Sequence, residues 1–437
     1  MEEILLNLSD YIHSDEFAAR ARHPKFPGAF RRNRKLPLPA LVGALLSMRG
    51  QSQQAMLDSF FGALCGEGGL YELITDSGFA KARARLHMPA LEYLNQRLVE
   101  QADAAGMILR WHGLRVVAAD ASLLMPAIRA CHRTRSLAAP DQRLFALFLP
   151  GAELTLHASV HSEMFGERAM LVEALGHLGP DDVLVLDRGY PAAWLVSLLI
   201  AMGIRFCVRC DNSSGWGNLQ AFVESGADEA MLTLSKPSAQ EVEDWGCPAA
   251  APTVRVVRQV APNGEVRLLA TNLDANTWPC SLFAELYHLR WRIEEAFKRL
   301  KHRLRLECVS GLSQHALIID VAAKILADNL AALLCAQAMQ ESAANTAAAD
   351  SPTAPQVPPD EVPADDTSIQ LRCNRSYAAA YLQHALPRLL LMIGDFCATL
   401  RDTLRHLARN TQRFIKGRTC PRPAHHIKPH PNLAYKS

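Results

Sequence analysis

The chain has 437 residues, 49% of them hydrophobic, so it can bury a large core and is expected to divide into two or three domains. Its net charge of +2 is too small to single out a nucleic-acid, membrane or acidic partner. Eleven cysteines without a disulfide-like framework, no stretch built like a signal peptide and no uninterrupted apolar run of spanning length point to a reducing cytoplasm, and away from a secreted or membrane protein.

Residues 1–108 read as a helical domain. PALVGALLSMRG and SQQAMLDSFFGAL carry apolar residues at helical spacing, and Thr75 to Ser77 supply capping types ahead of a further such run. Local charge says more than the total. Between Arg20 and Lys35 there are seven Lys or Arg and no acid, Arg31, Arg32, Arg34 and Lys35 among them. These, with Lys81, Arg83 and Arg85, have the character of phosphate contacts or of the solvated face of a helix.

Over residues 109–212 the period changes. LRVVAAD, RLFALFLP and ELTLHASVH are strand-like, and Gly151 with Ala152 turns the second into the third. A helix near Glu167 to His177, the strand VLVL, a helix opened by Pro191 and the strand IRFCVRC follow. Asp120 and Asp187 each close a short apolar run, which places them at the ends of buried strands, where sites form in helix-covered sheets. Arg188 and Tyr190 stand beside the second aspartate, and the loop CHRTR carries His132, Arg133 and Arg135. Cys207 and Cys210 form a CxxC motif, but an offset of three on a strand sends the two side chains to opposite faces, which does not suit a metal or redox pair.

Residues 213–280 are turn-rich and then strand-like at MLTLS, TVRVVRQV and EVRLLATNL, with Asn263-Gly264 as a hairpin turn. Residues 281–338 hold the most informative stretch, YHLRWRIEEAFKRLK. Its Tyr287, Arg290, Glu294 and Lys301 are separated by three, four and seven positions, and on one α-helix they fall within an arc of roughly 60°. Leu286, Leu289, Ile293, Phe297, Leu300 and Leu304 form an apolar stripe beside that face. The helix therefore seats on a core and presents a carboxylate flanked by cations and a phenol; the plainer reading is a solvated basic helix with one ion-paired Glu. From Ala316 to Met339 an apolar helix carries Asp320, Lys324 and Asp328 at four-residue steps, the polar stripe of an amphipathic helix.

Residues 339–370, rich in Ala, Pro, Asp, Ser and Thr, read as a disordered linker or surface loop. Residues 371–437 resume as helix from Tyr377 to about Phe414, with Arg401, Arg405, Arg409 and Arg413 at four-residue steps, and end in a basic tail. The spacing of Cys420, His425, His426 and His430 in that tail fits no zinc-finger pattern.

Asp120 followed by Ala and Ser, LDRGY around Asp187, and the Tyr-x2-Arg-x3-Glu-x6-Lys spacing together resemble the DDE transposases of bacterial insertion sequences, in the group marked by a YREK box. The resemblance runs from HPKFPGAFRRNRKLPLPAL to about residue 335. It implies an α/β fold: an RNase H-like catalytic core interrupted by a β-rich insertion, with an N-terminal helical DNA-binding domain and a C-terminal helical region. Asp120, Asp187 and Glu294 are the implied catalytic residues, and they make an oxygen-only donor set that suits two Mg²⁺ or Mn²⁺ ions better than zinc. Tyr287, Arg290 and Lys301 are implied to grip DNA phosphates, with Arg188 and Tyr190 as second-rank contacts. The implied partners are the terminal inverted repeats and target DNA, bound by a homodimer on paired ends in the bacterial cytoplasm at the nucleoid, without a small-molecule cofactor or a membrane. In one branch of the group a tryptophan just ahead of the equivalent of LLATNL stacks on an extruded base. Here Arg267 occupies that position, leaving Trp216, Trp245 and Trp278 as substitutes or as core residues. The same core also suits a nuclease or junction resolvase that cuts without joining, or a domesticated DNA-binding derivative.

Overall fold

The computed structural model describes residues 1–437 except 33–34, 49, 51, 67–69, 126–141, 211–215, 217, 261–263, 350–368 and 416–437. Arg34, His132, Arg133, Arg135, Asn263 and the Cys420–His430 tail therefore lie outside the described residues. The chain folds as two compact units. One gathers Met1–Gln101 with the described part of Leu300–Ser437; the other gathers the described parts of Ala102–Pro126 and Pro140–Arg299.

The first unit is mainly helical. Its N-terminal part holds α1 (Glu2–Ile12), α2 (Asp15–Arg20), α3 (Leu38–Ser47), α4 (Gln53–Cys65), α5 (Asp76–Arg83) and the start of α6 (Pro89–Ala104). Thr75 caps α5, its hydroxyl accepting from the Gly78 N–H, as the capping types predict. Helix α3 is apolar on all sides and buried along almost its whole length, the pattern of a central helix.

In the second unit, β1 (Arg115–Leu124), β2 (Gln142–Leu149), β3 (Leu154–Ser162), α7 (Glu167–Ala174), β4 (Asp182–Leu186), α8 (Ala193–Ala201) and β5 (Arg205–Cys210) follow in the predicted order. Next come α9 (Asn218–Ser225), β6 (Glu229–Thr233), α10 (Ala239–Trp245), β7 (Thr253–Val260) and β8 (Val266–Thr271). The eight strands make one sheet in the order β3-β2-β1-β4-β5-β8-β7-β6. Strands β1, β4 and β5 are mutually parallel, and all other pairings are antiparallel. The strands of 213–280 are thus continuous with the sheet: β8 pairs β5 from Cys207↔Thr271 to Cys210↔Leu268. Every residue of β4 is buried, as expected of a parallel strand covered on both faces. Helices α11 (Phe283–Leu289) and α12 (Trp291–Lys298) complete this unit, and both pack on β1.

The C-terminal part of the first unit holds α13 (Gln314–Ala349), β9 (Ile369–Cys373), α14 (Arg375–Leu390), α15 (Phe396–Arg409) and β10 (Thr411–Ile415). Helices α13 and α14 pack against α3, tying the two ends of the chain into one core. Three expectations are corrected here. Helix α13 continues past Met339 to Ala349, because an alanine-rich stretch is a good helix former. The predicted helix to Phe414 is instead two helices, separated at Met392 and Gly394, both at positive φ, and a strand: α15 ends at Arg409, and Arg413 lies on β10, which pairs with β9. Finally, Asp320, Lys324 and Asp328 are all buried. Lys324 donates to the carbonyls of Arg305 (2.8 Å) and Cys308 (2.6 Å), and the Asp320 carboxylate accepts from both the N–H and the hydroxyl of Ser310. Asp320 and Lys324 clamp the 305–310 segment, and none of the three faces water.

Candidate active site

Asp120 sits within β1 rather than at its end, opposite Ala146 of β2. The parallel pairing of β1 with β4 stops two residues earlier, at Ala118↔Val185, and Asp187 directly follows the last residue of β4. The expectation of two strand-end aspartates thus holds for Asp187, while Asp120 lies on a part of β1 that has already left β4. The YREK stretch is not one uniform helix. It consists of α11, α12 and a π-helical segment, Arg299–Arg303, with Arg290 at the junction of the first two. Glu153, in the β2–β3 turn, pairs with Arg292 at 3.1 Å and Arg299 at 3.4 Å and so holds α12 against the sheet. The apolar stripe behaves as predicted, with Leu286, Ile293, Phe297, Leu300 and Leu304 all buried.

Arg290 is the hub of the site. Its guanidinium lies 3.6 Å from the carboxylate of Asp120 and 2.9 Å from that of Glu294. Arg290 is 6% exposed and Tyr287 4%, so these two residues are built into the interior rather than presented on an open face. Burial alone would lower the pKa of Arg290, but Tyr287, Asp120, Asp187 and Glu294 around it more than compensate, and the pKa is raised. Asp120 is the strained partner. Burial, the neighbouring Asp187 and more distantly Glu167 outweigh the attraction of Arg290 and one hydrogen bond from the Ala121 N–H, and its pKa is raised to about 7.

Glu167, the first residue of α7, is a fourth carboxylate at this place that the sequence reading did not single out. Its pKa is raised by burial and by Asp187, against the pull of Arg143, which pairs with it at 2.8 Å. An acid in the first turn of a helix is ordinary, so nothing in the sequence separates Glu167 from a capping residue. Tyr190 is completely buried, and its hydroxyl has no hydrogen-bond partner among the described residues. Burial first, then Asp120, Glu167 and Asp187, push its pKa well above the ordinary value. Tyr190 thus belongs to the inside of the acidic cluster rather than to an exposed DNA-facing surface. Arg188, by contrast, is exposed.

In the helical unit, Arg31, Arg32 and Lys35 are exposed. Lys81 is exposed as well, but Arg83 is buried and donates to the carbonyl of Ser310 at 2.6 Å, a structural role where a phosphate contact or a wet face was expected. Lys301 lies in the π-helical segment with its ammonium 4.0 Å from Glu307. Among the aromatic substitutes, Trp245 stacks on Trp194 with ring centroids 4.5 Å apart, Trp278 packs against a buried cluster, and Arg267 is paired to Glu265.

Among the described residues, no group of three or more His, Cys, Asp or Glu is set as a ready-made metal cage. The donor chemistry nevertheless fits a hard cation. Asp120 and Glu294 are carboxylates already drawn to one positive charge, and Asp120 remains under-compensated by it.

The mixed sheet, its helices and the acidic cluster beside β1 and β4 are consistent with an RNase H-like transposase domain. Residues 143–330, which include Asp187 and Glu294, match the family model described as the transposase DDE domain, and that match supports a DDE transposase. No curated protein matches the chain.

Proposed function

We propose that the chain is a DDE transposase of the YREK-box group, which cleaves DNA at insertion-sequence ends and joins them to target DNA by in-line attack at phosphorus. The observation that carries this reading is the gathering of carboxylates from β1, the end of β4 and α12, far apart in sequence, around the buried Arg290. Asp120, Asp187 and Glu294 are the catalytic acids and would hold Mg²⁺ or Mn²⁺, two ions per site. When bound, such ions lower the pKa of the attacking water or 3′-OH and stabilise the leaving oxygen.

The chain's own residues supply the rest. In this reading Arg290 offers a planar fork, Lys301 a point charge and Tyr287 a phenol for phosphates. Arg31, Arg32, Arg34 and Lys35 add backbone contacts that position the DNA end without reading its sequence. The DNA partners are terminal inverted repeats and target DNA, and the working form is a homodimer on paired ends at the bacterial nucleoid.

The test uses a duplex carrying the inverted repeat that flanks the gene. Asp120→Asn, Asp187→Asn and Glu294→Gln should each abolish Mg²⁺-dependent cleavage while retaining end binding; substantial cleavage by any of them removes that residue from the site. Strand transfer of a pre-cleaved end should be seen with the unaltered chain. Cutting without joining would instead identify a nuclease or resolvase.

A further inference from the structure

A cavity of about 320 Å³ is lined by Arg188, the residue that follows Asp187, and by Arg168, the residue that follows Glu167. Arg168 of α7, Arg188 and Lys236 contribute three cationic side chains to its wall. Ala193 and Trp194, the first residues of α8, also line it. The N-cap of that nine-residue helix, Ala192, offers no side-chain acceptor to the first-turn N–H groups, which leaves the positive end of the helix open toward an anion. Trp216 lines the same cavity, is 5% exposed, and has a buried indole N–H without an acceptor among the described residues. The Nε–H of Arg168 is likewise buried and unaccepted. The one acid on the wall, Glu241, is already engaged, its carboxylate accepting from the Ser238 N–H at 2.8 Å in the capping box of α10.

Donors and positive charge therefore dominate the cavity, with three cationic side chains against one carboxylate. A ligand that fits is compact, anionic and accepts hydrogen bonds without donating them, which describes a phosphate group. We propose that this cavity is a phosphate subsite that seats a backbone phosphate of the DNA strand adjacent to the one presented to Asp187. The inference rests on the DNA-cleaving reading above and extends it. Arg188 and Lys236 supply charge, while the α8 N-terminus and Trp216 supply directed donors. Fixing one phosphate here sets the register of the strand at the acidic cluster, since backbone contacts position a duplex while base contacts specify it.

The test is binding of the end duplex by the full chain in EDTA, between 50 and 200 mM salt. Lys236 is exposed, so Lys236→Gln should fold normally, weaken binding several-fold and make the slope of log K against log salt shallower by about 0.9. Trp216→Phe keeps an aromatic side chain but removes the indole N–H; it should weaken binding with the slope unchanged. Millimolar inorganic phosphate should compete with DNA on the unaltered chain and less so on Lys236→Gln. If both variants keep the original affinity and slope while Lys301→Ala weakens binding, the subsite is wrong and the DNA reading stands. If phosphate binds the cavity but neither variant alters DNA affinity, the cavity is an adventitious anion site only, and the inference fails. If the unaltered chain binds no DNA, the functional reading fails and the subsite with it.

Discussion

Asp120 makes a quantitative test of the acidic cluster possible without any assay of DNA cleavage. Its carboxyl titrates near 7 in the folded chain, against an ordinary 3.8, chiefly because it is buried. Between these two values the folded chain retains a proton that the unfolded chain has lost. Raising the pH through that window therefore favours unfolding, and the ionised form is a fold-destabilising group above about pH 7. In metal-free protein the cost of ionisable Asp120 grows from roughly 2 kcal/mol at pH 5 to roughly 4 kcal/mol at pH 8. Asp120→Asn keeps the shape and removes the titration. Urea unfolding in EDTA, followed by tryptophan fluorescence, should show the variant more stable than the parent, with the advantage widening by roughly 2–3 kcal/mol from pH 5 to pH 8. An advantage that does not change with pH, or a variant less stable at pH 8, would refute the account of Asp120 as a buried carboxyl held against its neighbours.

Two further expectations follow from particular contacts. Glu167→Gln removes a negative charge near both Asp120 and Asp187, so the pKa of Asp120, followed by carboxyl-labelled NMR, should fall; an unmoved titration would place Glu167 outside the cluster. Lys324→Met leaves the buried carbonyls of Arg305 and Cys308 without their charged donor and should lower stability by about 3 kcal/mol, read as a shifted urea midpoint. A change below about 0.5 kcal/mol, the range of ordinary surface substitutions, would show that the clamp contributes nothing.

What the amino-acid order determined by itself was local. Alternation and apolar runs gave the succession β1-β2-β3-α7-β4-α8-β5, helical spacing gave the N-terminal helices and the seated side of the YREK stretch, and the resemblance carried by the residues around Asp120, LDRGY and the Tyr-Arg-Glu-Lys spacing put forward Asp120, Asp187 and Glu294 as candidates. These depend on periodicities of two and 3.6, which near neighbours in the chain suffice to express. What only the tertiary structure decided concerns which side of an element faces a partner distant in sequence. Arg290, Arg83 and the Asp320–Lys324–Asp328 stripe have the spacing of solvent-facing charges and are buried; Asp120 and Ser310, far along the chain, meet Arg290 and Arg83, while the folded-back 305–310 segment meets Asp320 and Lys324. Glu167 looked like an ordinary first-turn acid until α7 was set beside Asp187, and β9 found β10 across two intervening helices. A charged residue carries no mark in the sequence saying whether water or a remote partner compensates it, and only the packed chain supplies that partner.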